Sequence, residues 1–234
     1  PDEGRERVEP EGEAGDAAGE AYVIFGSASG FGTDVAGRQV IDLTSLSAAQ
    51  GFVIQGDAIG DKTGVSVSSA GDINGDGYDD VIVGAKQGGG DTGQAYVVFG
   101  SGSGFGADVG GRQVIDLSTL NAAQGFVIQG DEPFDEAGWS VSSAGDVNGD
   151  GYDDMIVGAR YGDDGGSSAG EAYVLFGSAS GFGTDVGGRQ VIDLATLSPA
   201  QGFIIQGDAV DDYAGSSVSS AGDIDGDGYG DLIV

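Results

Sequence analysis

Three nine-residue stretches gather acidic and amide side chains at fixed spacing. Asp72-Ile73-Asn74-Gly75-Asp76-Gly77-Tyr78-Asp79-Asp80 returns as Asp146-Val147-Asn148-Gly149-Asp150-Gly151-Tyr152-Asp153-Asp154, and again as Asp223-Ile224-Asp225-Gly226-Asp227-Gly228-Tyr229-Gly230-Asp231. Side-chain oxygens at positions one, three and five, a backbone carbonyl at seven and a carboxylate at nine can surround one hard cation. An all-oxygen donor set suits Ca2+, whereas Mg2+ demands a stricter octahedron and keeps its water. The expected ligands are Asp72, Asn74, Asp76, Tyr78 and Asp80; then Asp146, Asn148, Asp150, Tyr152 and Asp154; then Asp223, Asp225, Asp227, Tyr229 and Asp231, with each tyrosine acting through its carbonyl. Three Ca2+ sites follow, one per loop. Position six is glycine each time (Gly77, Gly151, Gly228), where the chain must turn sharply. Position eight should point away from the ion, which agrees with Gly230 replacing Asp79 and Asp153 there.

An EF-hand loop would place a carboxylate at position twelve and run on into a helix. Here position twelve is Val83, Val157 or Val234, each in a β-branched run, so the loop joins strands.

Composition narrows the chemistry. The chain has neither cysteine nor histidine, which removes disulfides, Ser-His-Asp and Cys-His arrangements and His-ligated zinc. Its 39 Asp plus Glu against 8 Lys plus Arg give a net charge of −31, so no basic patch is available for nucleic acid or an anionic membrane. No apolar run approaches the ~18 residues of a membrane span, so membrane insertion is not expected. Such a surface complements cations and suits a saline setting that screens self-repulsion.

The elements that position the loops repeat as well. Ala21-Tyr22-Val23-Ile24-Phe25-Gly26 recurs from Ala95 and from Ala172, and Gly51-Phe52-Val53-Ile54-Gln55-Gly56-Asp57 recurs from Gly125 and from Gly202. The offset is 74 residues and then 77, the three extra residues falling between Arg160 and Tyr173. Each repeat holds four short apolar runs, such as Val65–Ser68, Val81–Val83, Tyr96–Phe99 and Phe126–Ile128, separated by Gly/Asp-rich turns. Asp116 to Leu120 has the pattern of one helical turn and nothing longer. Four antiparallel strands per repeat make an all-β chain of β-propeller blades, in which stacked neighbours bury what one blade cannot. A β-sandwich need not repeat at a fixed offset.

The expected division is an acidic, Gly-rich tail at 1–19; strands three and four of one blade at 20–57; complete blades at 58–131 and 132–208; and strands one and two of another at 209–234. This reads as a segment of a larger propeller. The two partial blades are complementary halves, so a second copy could also close a ring.

Ser-Val-Ser-Ser-Ala-Gly-Asp, the acidic loop, an apolar strand, Gly-Ala and then Ala-Tyr-Val-Val-Phe-Gly resembles the FG-GAP repeat of integrin α chains over about residues 20–234. Lys86 and Arg160 stand where that repeat usually has proline. Thr63-Gly64, Ala137-Gly138 and Ala214-Gly215 stand in place of its Phe-Gly. The long Gly-Ser-Gly-Ser-Gly-Phe-Gly connection is more similar to bacterial members. The resemblance implies a calcium-binding module of a secreted or cell-surface protein, bacterial in type, that mediates adhesion or binds a protein or glycan ligand without catalysis. A lectin-like propeller and the accessory propeller of a secreted hydrolase are the alternatives.

Other signals carry less. Gly100 to Gly106 resembles a nucleotide loop but opens no helix and has no Gly-Lys-Ser/Thr. Trp139 is not repeated, which suits packing better than a sugar platform. Loops two–three and the blade-to-blade loops diverge most between repeats, which suits recognition on that face.

Overall fold

The computed structural model describes residues 18–234. The first partial blade holds β1 (Glu20–Ile24), a small hairpin of β2 (Thr33–Val35) and β3 (Arg38–Val40), and β4 (Gly51–Gln55). The next repeat holds β5 (Thr63–Gly71), β6 (Asp80–Ala85), β7 (Gln94–Val98), the hairpin β8 (Ala107–Val109) and β9 (Arg112–Asp116), and β10 (Gly125–Gln129). The third repeats this plan as β11 (Ala137–Gly145), β12 (Asp154–Ala159), β13 (Glu171–Leu175), β14 (Thr184–Val186), β15 (Arg189–Asp193) and β16 (Gly202–Gln206). β17 (Ser219–Gly222) and β18 (Asp231–Ile233) close the chain.

The two complete blades run β5-β6-β7-β10 and β11-β12-β13-β16, antiparallel throughout. β1 pairs with β4, and β17 with β18, antiparallel in both cases. Of the anticipated tail, residues 1–17 lie outside the described residues. Ala18 is buried and Gly19 bridges Thr63, as Gly93 bridges Ala137 and Gly170 bridges Ala214.

The first strand of each blade carries serine, alanine and glycine because neighbouring first strands lie side by side. Ser66 Oγ accepts from Val141 N at 3.0 Å, and Ser140 Oγ donates to the Gly215 carbonyl at 2.7 Å. β7, β12 and β13 are buried along their whole length, as sheets covered on both faces require.

The connection from strand three to strand four holds more than the single helical turn expected of it. That turn exists at Leu117–Thr119, capped by Asp116 Oδ1 accepting from Ser118 N at 2.9 Å. Ahead of it lies the β8–β9 hairpin, and β9 pairs in parallel with β4 of the preceding blade. β15 pairs with β10 in the same way. Each hairpin thus laps back onto its neighbour. The phenylalanine of Gly-Phe-Gly anchors it: Phe105 stacks on Phe52 at 4.1 Å between centroids, and Phe182 on Phe126 at 4.3 Å. Such pairs contribute ~0.5–1.5 kcal/mol beyond their burial.

Candidate metal loops and the opposite face

Each acidic loop is wound around its first aspartate. Asp72 Oδ1 accepts from Gly75 N at 2.8 Å and Asp76 N at 3.0 Å, while Asp72 Oδ2 accepts from Gly77 N at 2.9 Å. Asn74 Oδ1 accepts from Asp76 N at 2.8 Å, and Asp76 Oδ1 from Tyr78 N at 2.9 Å. The other two loops repeat this, with Asp146 and Asp223 at the centre. Gly77 and Gly151 have φ of 90° and Gly228 has 94°, a region closed to most side chains. In the third loop Asp223, Asp225 and Asp227 each offer one carboxylate oxygen within 4.8 Å of the others. Carboxylate oxygens that close together are of the hard donor type that divalent cations take.

The ninth residue fastens the loop. Asp80 is fully buried; its Oδ2 accepts from Ile73 N at 3.2 Å and its Oδ1 from Gly100 N at 2.8 Å. Asp154 does the same with Val147 N at 2.9 Å and Gly177 N at 2.8 Å. Burial pushes both carboxyls up to about 6, against the pull of those backbone donors, with the charges at positions one and five adding to the rise.

Two features of the loops were not anticipated, because they link successive loops. The tyrosine ring at position seven lies on the glycine at position four of the preceding loop: Tyr152 on Gly75, Tyr229 on Gly149. At position eight, Asp153 points away from its own loop and its Oδ2 accepts from Asp72 N at 2.9 Å. The acidic loops therefore form one connected row.

The opposite face joins the two–three connections to the blade-to-blade loops. Phe134 N donates to Asp91 O at 2.7 Å, and Gln87 N to Asp61 O at 3.1 Å. Lys86 and Arg160, which replace the usual proline, converge here on Trp139 and Glu136. Arg160 stacks 3.2 Å from the indole centroid, Lys86 lies 4.2 Å from it, and Glu136 accepts from both at 3.0 and 3.3 Å. Trp139 is thus a packing residue held by cation–π contacts. Beside it a cleft of about 490 Å3 is lined by Phe134, Asp135, Tyr161 and Asp163 among others. Phe134 is 71% exposed at φ 77°, an unusual backbone state for a bulky residue.

Under this face, each blade buries a tyrosine bound to acids. Tyr96 OH donates to Asp57 at 3.1 Å, and Arg189 meets the same carboxylate at 2.7 Å. One repeat later the Tyr173 hydroxyl lies 2.6 Å from Asp131 and 2.5 Å from Glu171, and its single proton serves one of the two at a time. Glu171, fully buried, replaces Gln94, and Asp131 Oδ1 is buried without a hydrogen-bond partner. Neighbouring Asp135 is buried, and its carboxyl is pushed up to about 7 by that burial, then by the charges of Asp131, Glu171, Asp163 and Glu132. Its folded-state value lies above its ordinary 3.8. Its contribution to stability is therefore full below 3.8 and is lost as the pH rises through about 7. Calcium-free protein should accordingly melt at lower temperature at pH 8 than at pH 5, and Asp135→Asn should flatten the part of that fall above pH 6. A melting temperature in Asp135→Asn that falls as steeply as in the parent between pH 6 and 8 would refute this role.

Four-stranded antiparallel blades with an acidic loop between their first two strands define this chain as a segment of a β-propeller. The FG-GAP repeat matches residues 63–98 and 137–175, the first three strands of each complete blade. Among curated proteins the chain is similar to integrin alpha-PS2 of Drosophila melanogaster, 29% identical over 87% of this chain and 13% of that one. It is 32% identical to integrin alpha pat-2 of Caenorhabditis elegans over 75% of this chain and 13% of that one. With integrin alpha-5 of Xenopus laevis it shares 28% over 83% and 16% respectively. The chain therefore spans about an eighth of the length of the first of these relatives. Together these matches support an FG-GAP, integrin α-type chain. They are animal proteins, so the expectation of a bacterial-type member gains no support from them.

Proposed function

We propose that this chain is a calcium-stabilised extracellular propeller module that binds a macromolecular ligand, without catalysis, through the face opposite its metal loops. The observation that carries this reading is the contrast between the two faces. One holds three near-identical acidic loops joined in a row by Tyr152, Tyr229 and Asp153. The other holds loops of differing sequence and length, with exposed apolar tips at Ile59, Phe134 and Val210 and the cleft beside Phe134. Uniform loops suit the shared task of holding an ion, and divergent loops on a rigid scaffold suit recognition. The similarity to integrin α chains supports a role in adhesion at the cell surface. Among the described residues no helix is long and apolar enough to cross a membrane.

A protein ligand and a glycan are separated by a glycan array run in calcium. Once a ligand is in hand, replacing residues 132–136 or 163–168 by Gly/Ser is expected to weaken binding at least tenfold while calcium uptake is unchanged. Binding lost only when the metal face is altered, with calcium occupancy intact, would overturn the assignment.

A further inference from the structure

The first two acidic loops meet at three places, and both belong to complete blades. Asp153, at position eight of the second loop, faces the first: its Oδ2 accepts from Asp72 N at 2.9 Å, and its own N donates to Asp72 O at 3.4 Å. Gly71, at φ 76°, makes room for that carboxylate, since a Cβ there would strike the Asp153 side chain. The Tyr152 ring lies on Gly75. The third contact runs through the segment after β13. Gly177 N donates to Asp154 Oδ1 at 2.8 Å, and the next residue, Ser178, donates its N–H to Ile73 O at 2.8 Å. Adjacent backbone donors thus hold position nine of the second loop and position two of the first.

These contacts fall on the groups that would hold an ion. Asp72 is the hub of the first loop, accepting from Gly75, Asp76 and Gly77, and Asp153 fixes its backbone at both N and O. In the second loop Tyr152 N donates to Asp150 Oδ1 at 3.0 Å. The backbone that aims the Tyr152 ring and Asp153 is therefore set by a candidate ligand of the second loop. The row is not uniform. Position eight of the third loop is Gly230, whose N donates to Asp146 O at 2.8 Å. Glycine brings no acceptor to Asp146 N, and the Cβ position of Gly145 has only Gly230 Cα and Ser220 Oγ near it, both at 3.9 Å, where that of Gly71 meets a carboxylate.

We infer that Asp153 is a positioning residue for the ion of the first loop, and that the first two loops take up calcium cooperatively through its hold on Asp72. The inference rests on the calcium reading proposed above. A cation in the second loop draws Asp146 and Asp150 together, fixes the turn at Tyr152 and Asp153, and so presents Asp72 already placed. The first loop then loses less freedom when its own ion binds, which is positive coupling by preorganisation. Such coupling is reciprocal, so an ion in the first loop tightens the second by the same factor. The Asp153 charge also favours a cation beside Asp72. Asp153 thus serves the loop before its own, which explains an aspartate at a position that points away from its own ion.

Calorimetric calcium titration of the chain carrying Asp227→Ala, which removes a ligand of the third loop, tests this. The two remaining sites are expected to fill with a Hill coefficient above unity. Adding Asp150→Ala is expected to weaken the first loop at least fivefold although its five ligands are untouched, and adding Asp76→Ala to weaken the second loop equally. Asp153→Ala in the same background keeps both ions and loses the cooperativity. Asp153→Asn, which keeps an acceptor for Asp72 N, retains it, and Asp79→Ala, the same change one loop earlier, leaves it unaltered. Independent filling of the two sites, or cooperativity that survives Asp153→Ala, overturns this inference while the calcium reading stands. An Asp153→Asn chain as uncooperative as Asp153→Ala overturns it too, because the effect would then belong to charge and not to the hold on Asp72. A parent chain that takes up no calcium overturns both.

Discussion

Asp150→Ala is expected to remove one of three bound calcium ions and to lower the melting temperature in calcium by about 5–10 °C. The reasoning runs from the loop to the folding equilibrium. Asp150 is the fifth loop residue; its Oδ1 holds Tyr152 N at 3.0 Å and its Oδ2 accepts from Asn148 Nδ2 at 2.9 Å, beside the oxygens of Asp146 and Asn148. Alanine deletes one ligand charge and one turn contact together. An ion that binds only the folded chain stabilises it by about 2.7 kcal/mol when it is 100-fold above its dissociation constant, and 1 kcal/mol moves the melting temperature by about 2–4 °C in a chain of this size. Affinities of about 10⁻⁵ to 10⁻³ M, the range from sensors to extracellular modules, place the measurement at millimolar calcium. Asp76→Ala is expected to behave alike. Asp79→Ala is the control, because position eight lies off the ion, and it should keep the full stoichiometry. Calorimetric titration counts the ions directly. Three ions still bound in Asp150→Ala, or none bound by the parent, would show that these loops are acidic turns and nothing more.

The winding of each loop was legible in the sequence because the groups that set it lie within nine residues. Asp72 finds Gly75, Asp76 and Gly77 by local winding alone, and spacing records that. The blades were legible for a related reason: short apolar runs of three or four residues at a fixed offset leave few other packings. What could not be read depends on partners far along the chain. β8 and β14 have three residues each, all exposed, and their hairpins are held by parallel pairing to a strand of the previous repeat. No local period encodes that. The clue was the recurring Gly-Phe-Gly, a large apolar residue kept in a loop that otherwise needs none. Lys86 and Arg160 likewise look like lost prolines until Glu136, just before β11, and Trp139, within it, are placed between them.

Gly158→Ala is expected to destabilise the chain by ~3 kcal/mol or more, by overpacking a buried seat, and to lower the melting temperature by roughly 6–12 °C. Gly158 lies inside β12 between the buried Val157 and Ala159, so its neighbours in sequence give no sign that a methyl group is forbidden. The reason lies in the next blade. A Cβ on Gly158 would collide with the carbonyl oxygen of Gly215 and sit 2.9 Å from its carbon. That carbonyl cannot retreat freely, because Ser140 Oγ donates to it at 2.7 Å. Gly215 itself has φ 79°, and a side chain there would meet the backbone of Glu171. Two glycines, one from the Gly-Ala pair and one from Ala214-Gly215, thus let two blades touch backbone to backbone. This accounts for both glycines surviving while the phenylalanine and proline around them were replaced. Gly84 meets Gly138 in the same way one repeat earlier, so Gly84→Ala should match it in size. Gly26→Ala is the contrast: no atom lies within 4 Å of its Cβ position, and the change should stay within about 0.5 kcal/mol. Thermal melts of the three variants in saturating calcium decide the matter. The defect lies between blades and away from the ligand oxygens, so the calcium-induced rise in melting temperature should persist in Gly158→Ala. A Gly158→Ala chain that melts within 2 °C of the parent would mean that the blades separate at little cost, and that the glycine pair does not set their spacing.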